Sequence, residues 1–329
     1  MAFADKLCSY YDSVEVTLEP TTYCNLQCPC CPATRCVYPK GNLPQDHFRR
    51  FIDDITQNSS RIIHLCGIGE PFCNPAIYEM ISYVPRQAAL WLSTNGMFRA
   101  DQRRLELLRK VHGFIVTLDA VTDDVLHRSR PGASVSRILA NVEALLELRR
   151  MAGATQPLVQ LRMNVFSFNK HDIPGMIRTA AELGVDALLI HRGTAPPELT
   201  AVVDMREFEP LPAFVRIDPR LCSGTAEQES EAPQRAPIHA DHTLFRTLGC
   251  GVPYVHWDGL VTCCRDSKGN LPFGNLLESS YNKIFSWGNL DRIAKVIAGF
   301  EERFEKEEYI VCDGCPKFFY NRHKLVRDS

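Results

Sequence analysis

Glu19-Pro-Thr-Thr-Tyr-Cys24-Asn-Leu-Gln-Cys28-Pro-Cys30-Cys31-Pro32 is the stretch on which the reading of this chain turns. It follows directly on Val14–Leu18, an apolar run that suits a buried strand. Three thiols at spacing C-x3-C-x2-C can wrap one loop around a [4Fe–4S] cluster. The fourth iron is then left without a protein ligand, open to the amino and carboxylate groups of a small molecule. A zinc knuckle is the bland alternative, and it wants four ligands arranged as two pairs. Cys30 inside the knot reads as a neighbour of the ligands.

Working outward, residues 14–192 alternate strand-like runs with amphipathic helices. The strand candidates are Val14–Leu18, Arg61–Cys66, Ala89–Ser93, Phe114–Asp119, Leu158–Val165 and Ala187–His191. Helical stripes run through Phe48, Phe51, Ile52 and Ile55, and through Ile77, Met80, Ile81 and Val84. Two more run through Val135, Ile138, Leu139, Val142 and Leu146, and through Ile173, Ile177, Ala180 and Leu183, the last closed by Gly184. Six strand–helix repeats imply a parallel sheet with right-handed crossovers. Six are too few to close an eight-stranded barrel, so an open one is expected.

Residues 193–245 are proline-rich and contain the polar run Ser223–Arg235, which reads as a linker or excursion. From 246 the pattern becomes a hairpin, Val252–Trp257 and Leu260–Cys264 about a turn at Asp258–Gly259. Helices are expected at Tyr281–Trp287 and Leu290–Phe304.

The chain carries 14 cysteines. Clustered thiols in a reducing cytosol are metal ligands more often than disulfides. Residues 1–12 are charged and lack the apolar segment of a signal peptide, and no apolar run has the length of a membrane helix. A cytoplasmic location follows. The net charge of −2 gives no footprint for nucleic acid or an anionic membrane.

The knot resembles the signature of radical S-adenosylmethionine (SAM) enzymes, especially the subset with a C-terminal SPASM or twitch domain. Further segments resemble that family in the expected order. Gly67-Ile-Gly69-Glu70-Pro71 is similar to its GGEP turn, which contacts the SAM amino group. Ser93-Thr94-Asn95-Gly96 is similar to its TNG turn. Thr117 and Asp119, followed by Arg130, resemble the region near the SAM ribose and carboxylate.

The resemblance implies an α/β fold, a partial (β/α)6 barrel over residues 1–192 with its site at the C-terminal strand ends. It implies an auxiliary cluster domain over 246–329. It also implies the chemistry: one electron from the cluster cleaves SAM, and a 5′-deoxyadenosyl radical takes hydrogen from a substrate. An electron donor such as flavodoxin or ferredoxin would then be a partner.

Cys250, Cys263-Cys264 and Cys312-x2-Cys315 resemble the twitch pattern. The resemblance implies Cys250, Cys312, Cys315 and one of Cys263 and Cys264 as ligands of one auxiliary [4Fe–4S] cluster, the family's spacing after Gly259 favouring Cys264. Neighbouring strand residues face opposite ways, so Cys263 would then point elsewhere. Structural zinc is the competing reading of this set.

His191 and Arg192 sit where a barrel places active-site groups, and linker residues are the alternative. Asp119, Arg162 and Asn164 hold comparable positions, with a buried salt bridge as their plain explanation. Cys222, Cys263, Cys66 and Cys73 are candidate hydrogen-atom donors, though most unpaired cysteines are inert apolar residues. The expected substrate is a small polar molecule: a sugar, aminoglycoside or nucleoside intermediate of antibiotic or secondary metabolism. Dehydrogenation, epimerisation, dehydration and decarboxylation all begin with the same hydrogen abstraction. Modification of a ribosomal peptide is the second enzyme reading, and a zinc-stabilised binding module the non-enzyme one.

Overall fold

The computed structural model describes residues 15–31, 34, 39–57, 62–99, 101–193, 199, 201–218, 221, 253–262, 272–286 and 289. Six parallel strands form its centre: β1 (Val16–Leu18), β2 (Ile62–Leu65), β3 (Ala89–Thr94), β4 (Gly113–Thr117), β5 (Leu158–Val165) and β6 (Ala187–Arg192). They pair in chain order, with Val16 opposite Ile63, Ile63 opposite Leu90, Leu92 opposite Phe114, and Val116 opposite Leu161.

The helices between them are α1 (Gln45–Thr56), α2 (Ile77–Tyr83), α3 (Gln102–Leu108), α4 (Asp123–Ser129), α5 (Val135–Met151) and α6 (Ile173–Leu183). Right-handed crossovers put these helices on one side of the sheet. One set of alternating strand residues faces them. Ile63, Leu65, Leu90, Leu92, Val159 and Leu161 are all buried in a single apolar core with Phe48, Phe51, Ile52, Met80 and Ile81 of the helices. Each such side chain contributes roughly 1.5–3 kcal/mol by leaving water.

The predicted stripes are the buried faces of α1 and α2, whereas in α5 and α6 Leu145, Leu148 and Met176 join the buried set and Val135, Leu139, Leu146, Ile177 and Leu183 are only partly buried. Gly184 closes α6 at φ +71°, a left-handed conformation in which glycine carries no steric penalty. The helices α3 and α4 were not foreseen. Each is seven residues long and mostly polar, with only Leu108 buried in α3 and Leu126 and Ser129 in α4. A single buried apolar residue gives no period to read.

Two further findings concern the edges. Val215–Ile217, inside the stretch read as a linker, forms β7 and pairs parallel with β6. The predicted hairpin is present as β8 (Tyr254–Val255) and β9 (Leu260–Thr262), turning at Gly259 with φ +85°. Its first strand pairs parallel with β1, through Thr17 N–H to Pro253 O (2.9 Å) and Glu19 N–H to Val255 O (2.8 Å). A last strand, β10 (Pro272–Asn275), lies antiparallel to β9 and precedes the short helix α7 (Tyr281–Ile284).

The strand order is therefore β10-β9-β8-β1-β2-β3-β4-β5-β6-β7, an open sheet of ten strands among the described residues. No helix among these residues is long and apolar enough to cross a membrane. Cys222, Cys250, Cys263, Cys264, Cys312 and Cys315 lie outside the described residues, as do Ser223–Arg235 and the whole helix expected over 290–304.

Candidate radical SAM site

The loop leaving β1 is fixed before it reaches the first cysteine. Thr21 Oγ1 donates to Asn42 Oδ1 (2.6 Å), and Thr22 Oγ1 donates to Pro39 O (2.9 Å) while accepting from Gly41 N–H (2.9 Å). On the other side Glu70 N–H donates to Tyr23 O (2.8 Å). Gly69 allows this contact, because a Cβ there would collide with the carbonyl oxygens of Thr21 and Tyr23. Gly67 is equally constrained: its missing Cβ would stand 2.6 Å from the Glu19 side chain. The glycines of this turn are thus explained by close approach to the β1 loop.

Cys24, Cys28 and Cys31 carry free thiols in this loop. Leu26 N–H donates to Cys24 Sγ (3.4 Å), and Cys31 N–H donates to Cys28 O (3.0 Å). Asn95, at the end of β3, reaches across with Nδ2 to Asn25 Oδ1 (2.8 Å) and stands 3.9 Å from Cys24 Sγ. Asn25 is a site residue that sequence reading missed, since only the fold brings β3 to it.

The three thiols feel one another's charge. Burial pushes the Cys28 thiol up to about 11, opposed chiefly by Arg130, with Cys31 and Cys24 adding to the rise. Burial likewise raises Cys24, against the Leu26 N–H. Cluster ligation would therefore release protons and be favoured by rising pH.

Among the described residues, no three His, Cys, Asp or Glu side chains stand close enough to share a single metal ion. A tetrahedral zinc with Zn–S bonds near 2.3 Å needs thiolates within roughly 4 Å of each other. A four-iron cube places each thiolate on a different iron and accepts a wider set. The donor chemistry here, three coupled soft thiols beside a cation, fits the cube.

That cation is Arg130. Its Nε donates to Asp119 Oδ2 at 2.6 Å. Burial disfavours the guanidinium charge, but Asp119 and the thiols outweigh it and leave the pKa above its ordinary value. Asp119 is itself buried and fully engaged. Its Oδ1 accepts from Asn164 N–H (2.9 Å) and Nδ2 (3.0 Å), and its carbonyl accepts from Asn169 Nδ2 (2.7 Å). The salt bridge weighed as the plain reading of Asp119 is thus present, and it holds a positive charge beside the cysteines.

Glu70 is also committed. Oε1 accepts from Thr94 Oγ1 (2.7 Å) and Phe72 N–H (3.3 Å), and Oε2 accepts from Asn95 N–H (2.7 Å). It ties the Gly67–Pro71 turn to the end of β3, and an incoming ammonium would have to share it. Burial raises its pKa, against the pull of these three hydrogen bonds. A raised carboxyl pKa means that the folded chain binds more protons than the unfolded one. Glu70's contribution is then complete below its ordinary value near 4.5 and is lost as pH rises through the raised value. Glu70→Gln should flatten this dependence in denaturant titrations. It should also cost about 1–3 kcal/mol near neutral pH, because its amide turns a donor toward N–H or O–H groups that need an acceptor.

Thr117 ends β4 opposite Arg162. His191 and Arg192 end β6, half-buried; His191 Nδ1 stands 3.9 Å from the buried Asp218 Oδ2 beyond β7. Of the candidate hydrogen donors, Cys66 is half-buried after β2, and Cys73 senses both Glu70 and Cys24, with burial pushing its thiol up to about 11.

The model of the radical SAM superfamily matches residues 18–180, the span from β1 into α6 that carries every one of these strand-end groups except His191 and Arg192. The chain belongs to the radical SAM superfamily. It is an enzyme, and that family's cofactors are a [4Fe–4S] cluster and SAM.

Over 180 residues the chain is 31% identical to a tungsten-containing aldehyde ferredoxin oxidoreductase cofactor-modifying protein of Pyrococcus furiosus, covering 53% of this chain and 49% of that one. Over 179 residues it is 32% identical to an AdoMet-dependent heme synthase of Methanosarcina barkeri, covering 52% and 48%. The matches thus span about half the length of these curated relatives. Among solved structures, SuiB of Streptococcus suis bound to S-adenosylmethionine superposes with a TM-score of 0.62 at 14% identity, covering 85% of this chain and 68% of SuiB. That likeness extends the shared fold beyond the family match.

Proposed function

We propose that this radical SAM enzyme abstracts hydrogen from a small polyhydroxylated substrate, a sugar, aminoglycoside or nucleoside, with Cys24, Cys28 and Cys31 holding the SAM-binding cluster. When bound, the cluster supplies the electron that cleaves SAM and so generates the hydrogen-abstracting radical. The chain's own groups do the rest. Asn95 and Asn25 brace the cysteine loop, and the Gly67–Pro71 turn closes against it. Arg130, pinned by Asp119, offsets the negative charge of a thiolate-bound cluster.

The observation that carries the substrate class is the polarity of the sheet face opposite the helices. Along β5, Val159, Leu161, Met163 and Val165 are buried on the helix side, while Gln160, Arg162 and Asn164 alternate with them on the inner face. His64, Ser93 and Thr117 continue that face on β2, β3 and β4. Beside Trp91, Ile115 and Leu189 of the same face, these side chains offer hydrogen bonds to hydroxyls and amines. An auxiliary cluster on Cys250, Cys264, Cys312 and Cys315, with flavodoxin or ferredoxin as reductant, belongs to the same reading.

The test incubates reconstituted enzyme with SAM, reductant and ring-deuterated 2-deoxystreptamine, glucosamine or uridine, alongside a deuterated peptide panel. Deuterium in 5′-deoxyadenosine from one of the ring compounds is the expected result. Transfer from a peptide and from none of the rings would overturn the reading in favour of peptide modification.

A further inference from the structure

Glu15, His64 and Ser93 form a hydrogen-bonded line across the inner face of the sheet. Glu15 immediately precedes β1, His64 is the third residue of β2, and Ser93 the fifth of β3. His64 Nδ1 stands 2.6 Å from Glu15 Oε1, and Nε2 stands 2.8 Å from Ser93 Oγ. The imidazole is mostly buried, at 14% exposure, and Ser93 is half-buried. Neither the cysteine loop nor the Asp119–Arg130 pair uses any of these three side chains.

The carboxylate decides the tautomer. With Nδ1–H donated to Glu15, Nε2 is left as an acceptor for the Ser93 hydroxyl. A hydroxyl, a base within hydrogen-bond reach, and a third group orienting that base are the elements of an activated oxygen. A plain structural tie needs no carboxylate behind the ring.

Position adds the second element. Ser93 lies two residues before Asn95, whose amide reaches Asn25 and stands 3.9 Å from Cys24 Sγ. Two strand residues span about 6.6 Å. The hydroxyl therefore sits one step beneath the cysteine loop, on the face that would meet a substrate lying against SAM.

We infer that Ser93, His64 and Glu15 are a proton relay that deprotonates a hydroxyl of the substrate as its neighbouring hydrogen is removed. Conversion of a secondary alcohol to a ketone takes one hydrogen atom from carbon, one proton from oxygen and one electron. The hydrogen atom leaves with the radical derived from SAM, and the electron passes to an acceptor of the iron–sulfur class. The proton follows the relay: Ser93 Oγ takes the substrate's proton as it gives its own to His64 Nε2, and Glu15 stabilises the resulting imidazolium. Ser93 is the catalytic residue of the set, and His64 and Glu15 act through it. The inference rests on the substrate being hydroxylated, as proposed above.

An activated serine can be read without the substrate, using diisopropyl fluorophosphate on the iron-loaded enzyme. Oγ forms the bond to phosphorus, fluoride leaves, and the serine proton goes to His64. Ser93 is expected to be modified faster than every other serine of the chain. His64→Gln should slow that labelling at least about 100-fold, the scale of a lost general base, and Glu15→Gln by a smaller factor. Ser93→Thr should keep partial reactivity.

Labelling of Ser93 no faster than of surface serines in the unsubstituted enzyme, or labelling indifferent to His64→Gln, overturns the relay. The first comparison needs no variant, so poor folding of a variant cannot hide the result. The deuterium experiment separates the two ideas. Deuterium from a ring compound with inert Ser93 removes the relay and leaves the function. Reactive Ser93 with deuterium only from peptides overturns the relay's alcohol substrate.

Discussion

Replacing Cys24, Cys28 and Cys31 together with alanine should reduce SAM cleavage to background and remove about four irons per chain from a total of roughly eight. Burial pushes the Cys24 and Cys28 thiols up, opposed first at Cys28 by Arg130. The loop is held chiefly by Thr21, Thr22 and Glu70, and the substitution removes the Leu26 N–H bond to Cys24 Sγ. The fold should therefore survive the substitution, which keeps loss of the cluster distinct from loss of the protein. Anaerobic iron and sulfide analysis with 5′-deoxyadenosine assays reads both. Cys30 remains in this variant and tests itself as a neighbour. Full iron retention would show that Cys30 or another thiol ligates and that the assignment of the three is wrong.

Asp119→Ala should produce the largest stability loss of any single substitution at the strand ends. It strips the partner from Arg130 and also removes the acceptor of Asn164 N–H and Nδ2. Breaking a buried ion pair by removing one member costs about 3–5 kcal/mol. Arg130 keeps 16% side-chain exposure, so some of its charge can be rehydrated and the lower end applies. Denaturant titration should show this loss. Adding Arg130→Met should recover part of it, because the uncompensated charge goes with the arginine. Equal loss in the single and double variants would show that the hydrogen bonds to Asn164 carry the effect instead. SAM affinity, measured on the same proteins, should weaken in both, since each lacks the fixed cation beside the thiols.

Much of the barrel is legible without coordinates. All six strand candidates correspond to β1–β6, with every end within two residues, and the four helical stripes lie in α1, α2, α5 and α6. A strand buried on both faces must be apolar throughout, and a helix covering a sheet must repeat its apolar residues every three or four positions. Those demands are local, so they are written in the local sequence. They fail where local demand is weak, at the mostly polar, seven-residue α3 and α4 and the three-residue β7, each held by neighbours more than by its own pattern.

The sequence by itself determined the thiol spacing of the cysteine loop, the order of the strand-end motifs and the alternation that makes a parallel sheet. Only the tertiary structure decided what those motifs do to one another. Asp119 holds Arg130, Glu70 ties two strand ends together, and Asn95 meets Asn25 across 70 positions of chain. It also decided that β8 docks against β1, and that Glu15, just before β1, lines up with His64 of β2 and Ser93 of β3. The reason is physical. Spacing along a chain constrains one loop or one element, whereas a hydrogen bond between strand ends depends on register, which is settled only when the whole sheet packs. The cysteine loop can thus be read as a cluster ligand set before folding is considered, while its cation and its bracing exist only after it.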